Sequence, residues 1–383
     1  MATASTESLS PSTELEAASP EVKRYARLKQ YAAFASIGIG VVFVLVAALV
    51  VGPRLEPVLR LIAGDNVWLR LIAVAVIYGV ALELLTLPLD FWSGFVLEHR
   101  YQLSNQTFFA WLWKRIKGYL IGGPFALALL MGLYALLWFT GAWWWLNATV
   151  GLLLVTLVMG RIVPVLILPL FYKVTRLDDG DLLARLRNLA DGTGLNIEGV
   201  YRLHLSAETK KANAALAGLG KSRRVLLGDT LLEQFSPDEI EVVFAHELGH
   251  HVYRHIIKMV ALSVVLTAVG LFLADVVLRN AAPALGYDRG FDDPAALPLL
   301  LLVLTLFGIA LAPAQNALSR FFERQCDRYA LVRTRKPDAY RSAFTRLARM
   351  NKADPDPNRL VVWLLYDHPP IRERLALAGP APG

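Results

Sequence analysis

Six apolar runs set the terms on which this 383-residue chain can fold. They lie near Ala32 to Gly52, Leu71 to Leu89, Tyr119 to Phe139, Trp143 to Phe171, Met259 to Leu278 and Leu297 to Leu311. About 20 apolar residues in a helix cross roughly 30 Å of hydrocarbon, so these runs predict a mainly α-helical, polytopic membrane protein. Hydrophobic residues make up 55% of the chain and charged residues 19%, too apolar a balance for a water-soluble enzyme. The fourth run is long and holds Arg161 and Pro164, so it kinks, tilts or divides. Six spans is the expected count and seven the alternative. Trp143, Trp144 and Trp145 suit a membrane interface.

The formal net charge of +7 does not point to a nucleic-acid partner. The basic residues sit beside apolar runs, as in Lys23, Arg24, Arg27 and Lys29, and again in Arg100, Lys114, Arg115 and Lys117. With six spans these groups share one side with residues 173–258 and with the C-terminal segment. The other side carries mainly Arg54, Arg60 and Arg289. The positive-inside rule then assigns the first side to the cytoplasm, and the Ala/Leu/Arg-rich composition fits a bacterial cytoplasmic membrane. Cys326, the lone cysteine, excludes an intramolecular disulfide framework and reads as a free thiol. No cleavable signal peptide is evident.

The expected organisation runs as follows. Residues 1–30 form a disordered polar tail, and residues 31–172 a membrane domain with four spans. Residues 173–258 form a soluble insertion, residues 259–315 two further spans, and residues 316–383 a polar helical segment. The insertion reads as a helix from Gly180 to Thr193, a strand from Val200 to Leu205, and a hairpin of Ala212 to Ala217 with Arg224 to Gly228 through Gly218, Gly220 and Lys221.

The chemistry lies in Phe244-Ala245-His246-Glu247-Leu248-Gly249-His250-His251. On a helix, residues four apart share a face, so His246 and His250 can present two imidazoles to one metal ion. Glu247 beside them is placed to take a proton from the water such an ion activates. Ser236-Pro237-Asp238-Glu239 reads as a capping box with Pro at the first helical position. The helix it opens is expected to continue into the fifth span. A catalytic zinc takes three protein ligands and leaves one position open. Glu323 is the strongest third candidate, with Asp327 one turn further on the same face to hold a ligand histidine from behind. His251 and His255 are weaker alternatives, and Cys326 is a ligand only in principle. Glu83 and Arg161 lie inside apolar runs, where they pair or line an aqueous cavity.

These residues resemble the type I CAAX prenyl endopeptidases, membrane metalloproteases related to the HtpX-type quality-control proteases. The resemblance runs from about Glu98 to Leu375. It is carried by Glu98 through Gln106 and Thr107, by Pro169 through Lys173 with Leu177 through Gly180, and by Asn213 and Ala214 with Asp229 through Leu232. The zinc motif, Asn316, Ser319, Arg320, Glu323, Asp327, His368, Pro369 and Arg374 complete it. It implies a small α/β gluzincin-like protease domain built from two segments, with one zinc ion per chain on His246, His250 and Glu323. It makes Glu247 the base and puts His368 and Arg374 near the substrate carbonyl. Asp327, Asn316 and Arg320 stand behind the ligands, and substrate binds along the strand at Asn213 and Ala214. The implied substrate is a peptide or protein, prenylated or otherwise membrane-associated, met at the lipid bilayer. Lys114 departs from the resemblance, because an acidic residue is usual there. A quality-control protease is the alternative within the class, and a vestigial transporter or scaffold is the alternative outside it.

Overall fold

The computed structural model describes residues 19–177, 180–194, 199–218 and 224–379. The polar stretch at residues 1–18, Asp178 and Asp179, the hairpin turn at Gly220 and Lys221, and the end of the Pro/Gly tail lie outside them. The first helix, α1, spans Pro20–Val46, with Pro20 in its first turn and the Ser19 side chain accepting from the Val22 N–H. Residues 20–30 are thus helical rather than part of a disordered tail. A short helix α2 (Glu56–Ala63) and the long α3 (Val67–Phe91) follow.

Among the described residues five stretches are long and apolar enough to cross a membrane, and the third, Phe108–Phe171, has 64 residues. As one straight helix it would run roughly 96 Å, far beyond one bilayer. It breaks at Gly141, whose φ of 55° ends α4 (Phe108–Thr140) before α5 (Trp144–Ile162) begins. These two helices pack on each other, which gives six long apolar helices among the described residues. Trp143 is exposed, but Trp144 is fully buried and donates to Asp275 at 2.6 Å, so only part of the tryptophan cluster suits an interface. Inside the apolar region Glu83 pairs with Arg115 at 2.5 Å, whereas Arg161 is exposed.

The soluble insertion builds a four-stranded sheet in the order β1-β2-β4-β3. Its strands are β1 (Val174–Arg176), β2 (Gly199–Leu203), β3 (Ala214–Ala217) and β4 (Arg224–Gly228). β2 and β4 run parallel, the outer pairs are antiparallel, and β3 is an edge. β1 has three residues and no alternating pattern, so sequence periodicity does not reveal it. Behind the sheet lie α6 (Gly180–Ala190) and α7 (Pro237–Val252). Leu186, Val225, Leu227, Leu231, Phe244 and Leu248 fill the space between. The Ser236–Glu239 capping box is present at the start of α7.

Two expected boundaries are redrawn. The motif helix does not run into the fifth span. Arg254 takes a left-handed φ of 55° and separates α7 from α8 (His255–Ala281). Conversely, the expected division at 315/316 does not exist. One 38-residue helix, α9 (Leu297–Thr334), carries the sixth span and the catalytic segment without a break, through Pro313. The chain ends in α10 (Pro337–Met350), α11 (Arg359–Leu365) and α12 (Ile371–Ala376).

Asp229 fixes the end of β4 to the loop after β2. It accepts from the Leu205 N–H at 2.8 Å, the Ser206 N–H at 3.0 Å and the Ser206 hydroxyl at 2.6 Å. Burial alone would raise its pKa, but these bonds outweigh it and hold the carboxyl below its ordinary value. Its contribution to stability is therefore present above the ordinary aspartate value of about 3.9 and is lost as pH falls below it. Asp229→Ala should cost about 1–3 kcal/mol, the penalty of unmatched buried donors. Melting in detergent should show a smaller acid-side loss for Asp229→Asn than for wild type, and parallel curves would exclude this role.

Candidate active site

The site is made where α7 crosses α9. Gly249 is the contact point. A Cβ there would lie 3.0 Å from the Cα of Cys326, a distance that backbone cannot absorb without parting the helices. The close approach brings Glu323 against both histidines. His246 Nε2 lies 3.1 Å from Glu323 Oε2, and His250 Nε2 lies 3.2 Å from Glu323 Oε1. Glu323 is buried, and its Oε2 has no hydrogen-bond partner among the described residues. A carboxylate buried with an unmatched oxygen is costly unless a cation completes it. The three ligand atoms lie within 4.8 Å of one another, and two imidazoles with one carboxylate are a donor set suited to a divalent transition metal. The residues therefore fit a metal ion.

His246 shows the same demand. Burial would lower its pKa, but bonds to Asp327 and Glu323 outweigh it and raise the value to about 9. Asp327 is fully buried and meets His246 Nδ1 at 2.9 Å. Arg374 in turn grips Asp327 through Nε at 2.9 Å and Nη2 at 2.6 Å. It also borders the cleft, with Nη2 3.9 Å from Glu323 Oε2, and the same Nη2 lies 3.3 Å from His246 Nδ1, so Arg374 touches both Asp327 and the histidine that Asp327 holds. Among the described residues, Asn316 and Arg320 bond elsewhere than to His246, His250 or Glu323. Asn316 donates to the Leu364 carbonyl at 2.7 Å, and Arg320 donates to the carbonyls of Val362 and Tyr366 at 2.9 and 2.5 Å. They staple α11, and with it the turn that bears His368, to α9. His368 aims Nε2 at Glu323 Oε2 from 3.5 Å and rests Nδ1 on Asp367 at 2.8 Å. That Asp367 contact raises its pKa above the ordinary value.

Glu247 faces a cleft of about 410 Å³ that is also lined by His246, Asn213, Ala214, Phe344 and His368. The edge strand β3 forms one wall, and its Leu216 N–H lies 3.4 Å from Glu247 Oε2. Asn213 stands just before the strand, with its carbonyl accepting from the Gly228 N–H at 2.9 Å. Two contributors escape sequence reading. Leu216 acts through a backbone N–H, which carries no side-chain signal. Asp367 is legible only as the acid beside a histidine. His255 and Cys326 do not join the Glu323 group and lie behind His250.

Residues 176–379, more than half of the chain, match peptidase family M48. The chain belongs to peptidase family M48. Residues 10–173 match the CAAX prenyl protease N-terminal family, described as five membrane helices; here that stretch holds four long apolar helices and the eight-residue α2. CAAX prenyl protease 1 of Saccharomyces cerevisiae is 31% identical over 76% of this chain and 68% of its own length. The uncharacterized metalloprotease YhfN of Bacillus subtilis is 29% identical over 80% and 73%. The crystal structure of S. mikatae Ste24p superposes with a TM-score of 0.81 at 26% identity, covering 94% of this chain and 88% of that one. The M48 chain is thus a multi-pass membrane metalloendopeptidase of the type I CAAX prenyl protease family, with a metal cofactor and a peptide or protein substrate.

Removing ligands should grade the site. Glu323→Ala should weaken metal affinity more than Asp327→Asn, for which the loss should be about 10 to 100-fold. Chelator competition checks this, and an unchanged affinity in Glu323→Ala would exclude it as a ligand.

Proposed function

We propose that this metalloprotease is a zinc endopeptidase, with one zinc per chain, that trims membrane-associated substrates at the cytoplasmic face of a bacterial membrane, prenylated C-termini among them. The observation that carries the reading is the edge strand β3 beside Glu247, with the Leu216 N–H 3.4 Å from the carboxylate. The similarity to a CAAX prenyl protease supports the substrate class, and the clustering of basic residues beside the motif side supports the orientation. The ligand set of two histidines and a glutamate supports zinc.

An extended peptide gains main-chain hydrogen bonds by lying along β3, and the small side chains of Ala214, Ala215 and Ala217 leave room for it. His246, His250 and Glu323 would hold the zinc, which would supply a Lewis acid and lower the pKa of water. Glu247, facing the cleft, is placed to take a proton from the attacking water and to return it to the departing amine. His368 has Nδ1 on Asp367, which leaves Nε2 to donate to the carbonyl oxygen as charge develops on it. Arg374 and Asp327 hold the His246 ring so that its Nε2 stays turned to the ligand group.

A quenched farnesyl-peptide and its unprenylated twin test the substrate class in detergent or liposomes. Zinc-dependent cleavage that is faster on the lipidated peptide is expected. Equal rates would show that the lipid is not read and would favour a quality-control protease. Glu247→Gln should keep about one equivalent of zinc and lose hydrolysis, while loss of both would reassign it as a ligand. His368→Ala should keep zinc and substrate affinity but lower kcat by about 10² to 10³, the usual effect of one oxyanion donor. Near-normal turnover would remove His368 from the site.

A further inference from the structure

His250 has two ring nitrogens and both are engaged. Nε2 faces Glu323, so Nδ1 is turned to the far side of α7, where it lies 3.2 Å from Nδ1 of His255. In an unbroken helix, residues five apart point about 140° away from one another, and the two rings would not meet. The left-handed Arg254 breaks the helix between them and returns His255 to His250. His255 is only 2% exposed and is held tightly. Its ring stacks on Phe322 at 4.1 Å between centroids and 15° between planes, with Tyr253 near-parallel at 5.6 Å.

We infer that His255 is a positioning residue for the metal ligand His250, accepting its Nδ1–H and leaving its Nε2 lone pair aimed at the cation. The inference rests on the ligand set proposed above. The direction follows from Gln325, whose Oε1 lies 2.9 Å from His255 Nε2. A carbonyl oxygen only accepts, so Nε2 carries the proton of the neutral ring and Nδ1 is bare. His250 must then supply the hydrogen between the two Nδ1 atoms. The two metal histidines are thus held differently, His246 by a carboxylate locked to Arg374 and His250 by a neutral imidazole locked to Gln325. Cys326 Sγ is 3.6 Å from the same Nδ1, so His250, His255 and Cys326 could also hold a metal together. That alternative would strip His250 of its second proton while its other nitrogen serves the first cation, which the hydrogen bond avoids.

The test is zinc affinity by chelator competition on the full chain in detergent, with Glu323→Ala measured alongside. His255→Ala should weaken zinc by about 10 to 100-fold, the usual effect of losing a hydrogen-bond partner behind a ligand. His255→Phe keeps the stacking on Phe322 but has no acceptor, and should be as weak as His255→Ala. His255→Gln, whose amide oxygen can accept, should recover most of the loss. Wild-type affinity in His255→Phe would reduce His255 to packing and overturn the inference. A second zinc equivalent in wild type that disappears in Cys326→Ser would overturn it in favour of a metal ligand. If Glu323→Ala binds zinc normally, the ligand set fails, and the inference fails with it for a separately visible reason.

Discussion

The Glu323 carboxylate must meet two imidazoles of another helix, and the rest of the molecule is arranged around that meeting. Burying an ionised carboxylate is costly unless it is paired, and both histidines stand close to this one. The contact requires α7 and α9 to approach at Gly249 against Cys326. A larger residue at that point would press on Cys326, three residues from Glu323 on the same helix. The glycine inside the metal motif is therefore a packing requirement and not a flexible link. Asp327, one turn below Glu323, then extends the charge pattern inward. It joins His246 to Arg374, so that acid and base alternate from Glu323 through His246 and Asp327 to Arg374.

Because α9 is unbroken from Leu297 to Thr334, the register of Glu323 is set partly in the membrane. Leu297, Leu299, Leu300 and Leu302 lie in the buried core of the membrane domain with Leu71, Tyr134 and Trp144, while the other end of the same helix presents Glu323 and Asp327. Further ties fasten the protease unit down. Lys114 on α4 pairs with Glu208 and lies 2.7 Å from the Tyr172 hydroxyl. The departure at Lys114 therefore leaves the loop tied to the catalytic unit through a pair of its own.

The long runs and the HExxH spacing were legible because each obeys a strong periodic rule. Apolar length fixes a span, and a four-residue spacing fixes one helical face. The capping box at Ser236 was legible for the same reason, since it is a local pattern with a local cause. What escaped depends on single backbone angles or on contacts distant in sequence. Arg254 in the left-handed region cannot be anticipated, because arginine rarely adopts it, yet it decides where His255 points. The boundary placed at 315/316 failed because polarity begins there, although the helix does not stop. A change of solvent is not a change of backbone. Arg374 shows the limit of resemblance alone: its place near the site was anticipated, and its grip on Asp327 comes only from coordinates.

The cleft itself is braced by a membrane helix. Tyr25 and Lys29 on α1 donate to Glu98 at 2.8 and 3.1 Å, and Lys211 joins the same carboxylate at 2.8 Å. Lys211 stands two residues before Asn213, where the β3 wall of the cleft begins. Five residues along α1 from Tyr25, Gln30 donates to the Tyr366 hydroxyl at 3.3 Å, two residues before His368 on the opposite wall. One rigid helical turn and a half thus holds both the strand that would align a peptide and the turn that would polarise its carbonyl. Peptide hydrolysis needs those two groups at a fixed separation, since small misplacements of reacting groups cost rate steeply. A soluble protease meets that need from within its catalytic domain. Here α1 braces both walls of the cleft together with α9, so the membrane domain takes part in the geometry of the candidate site.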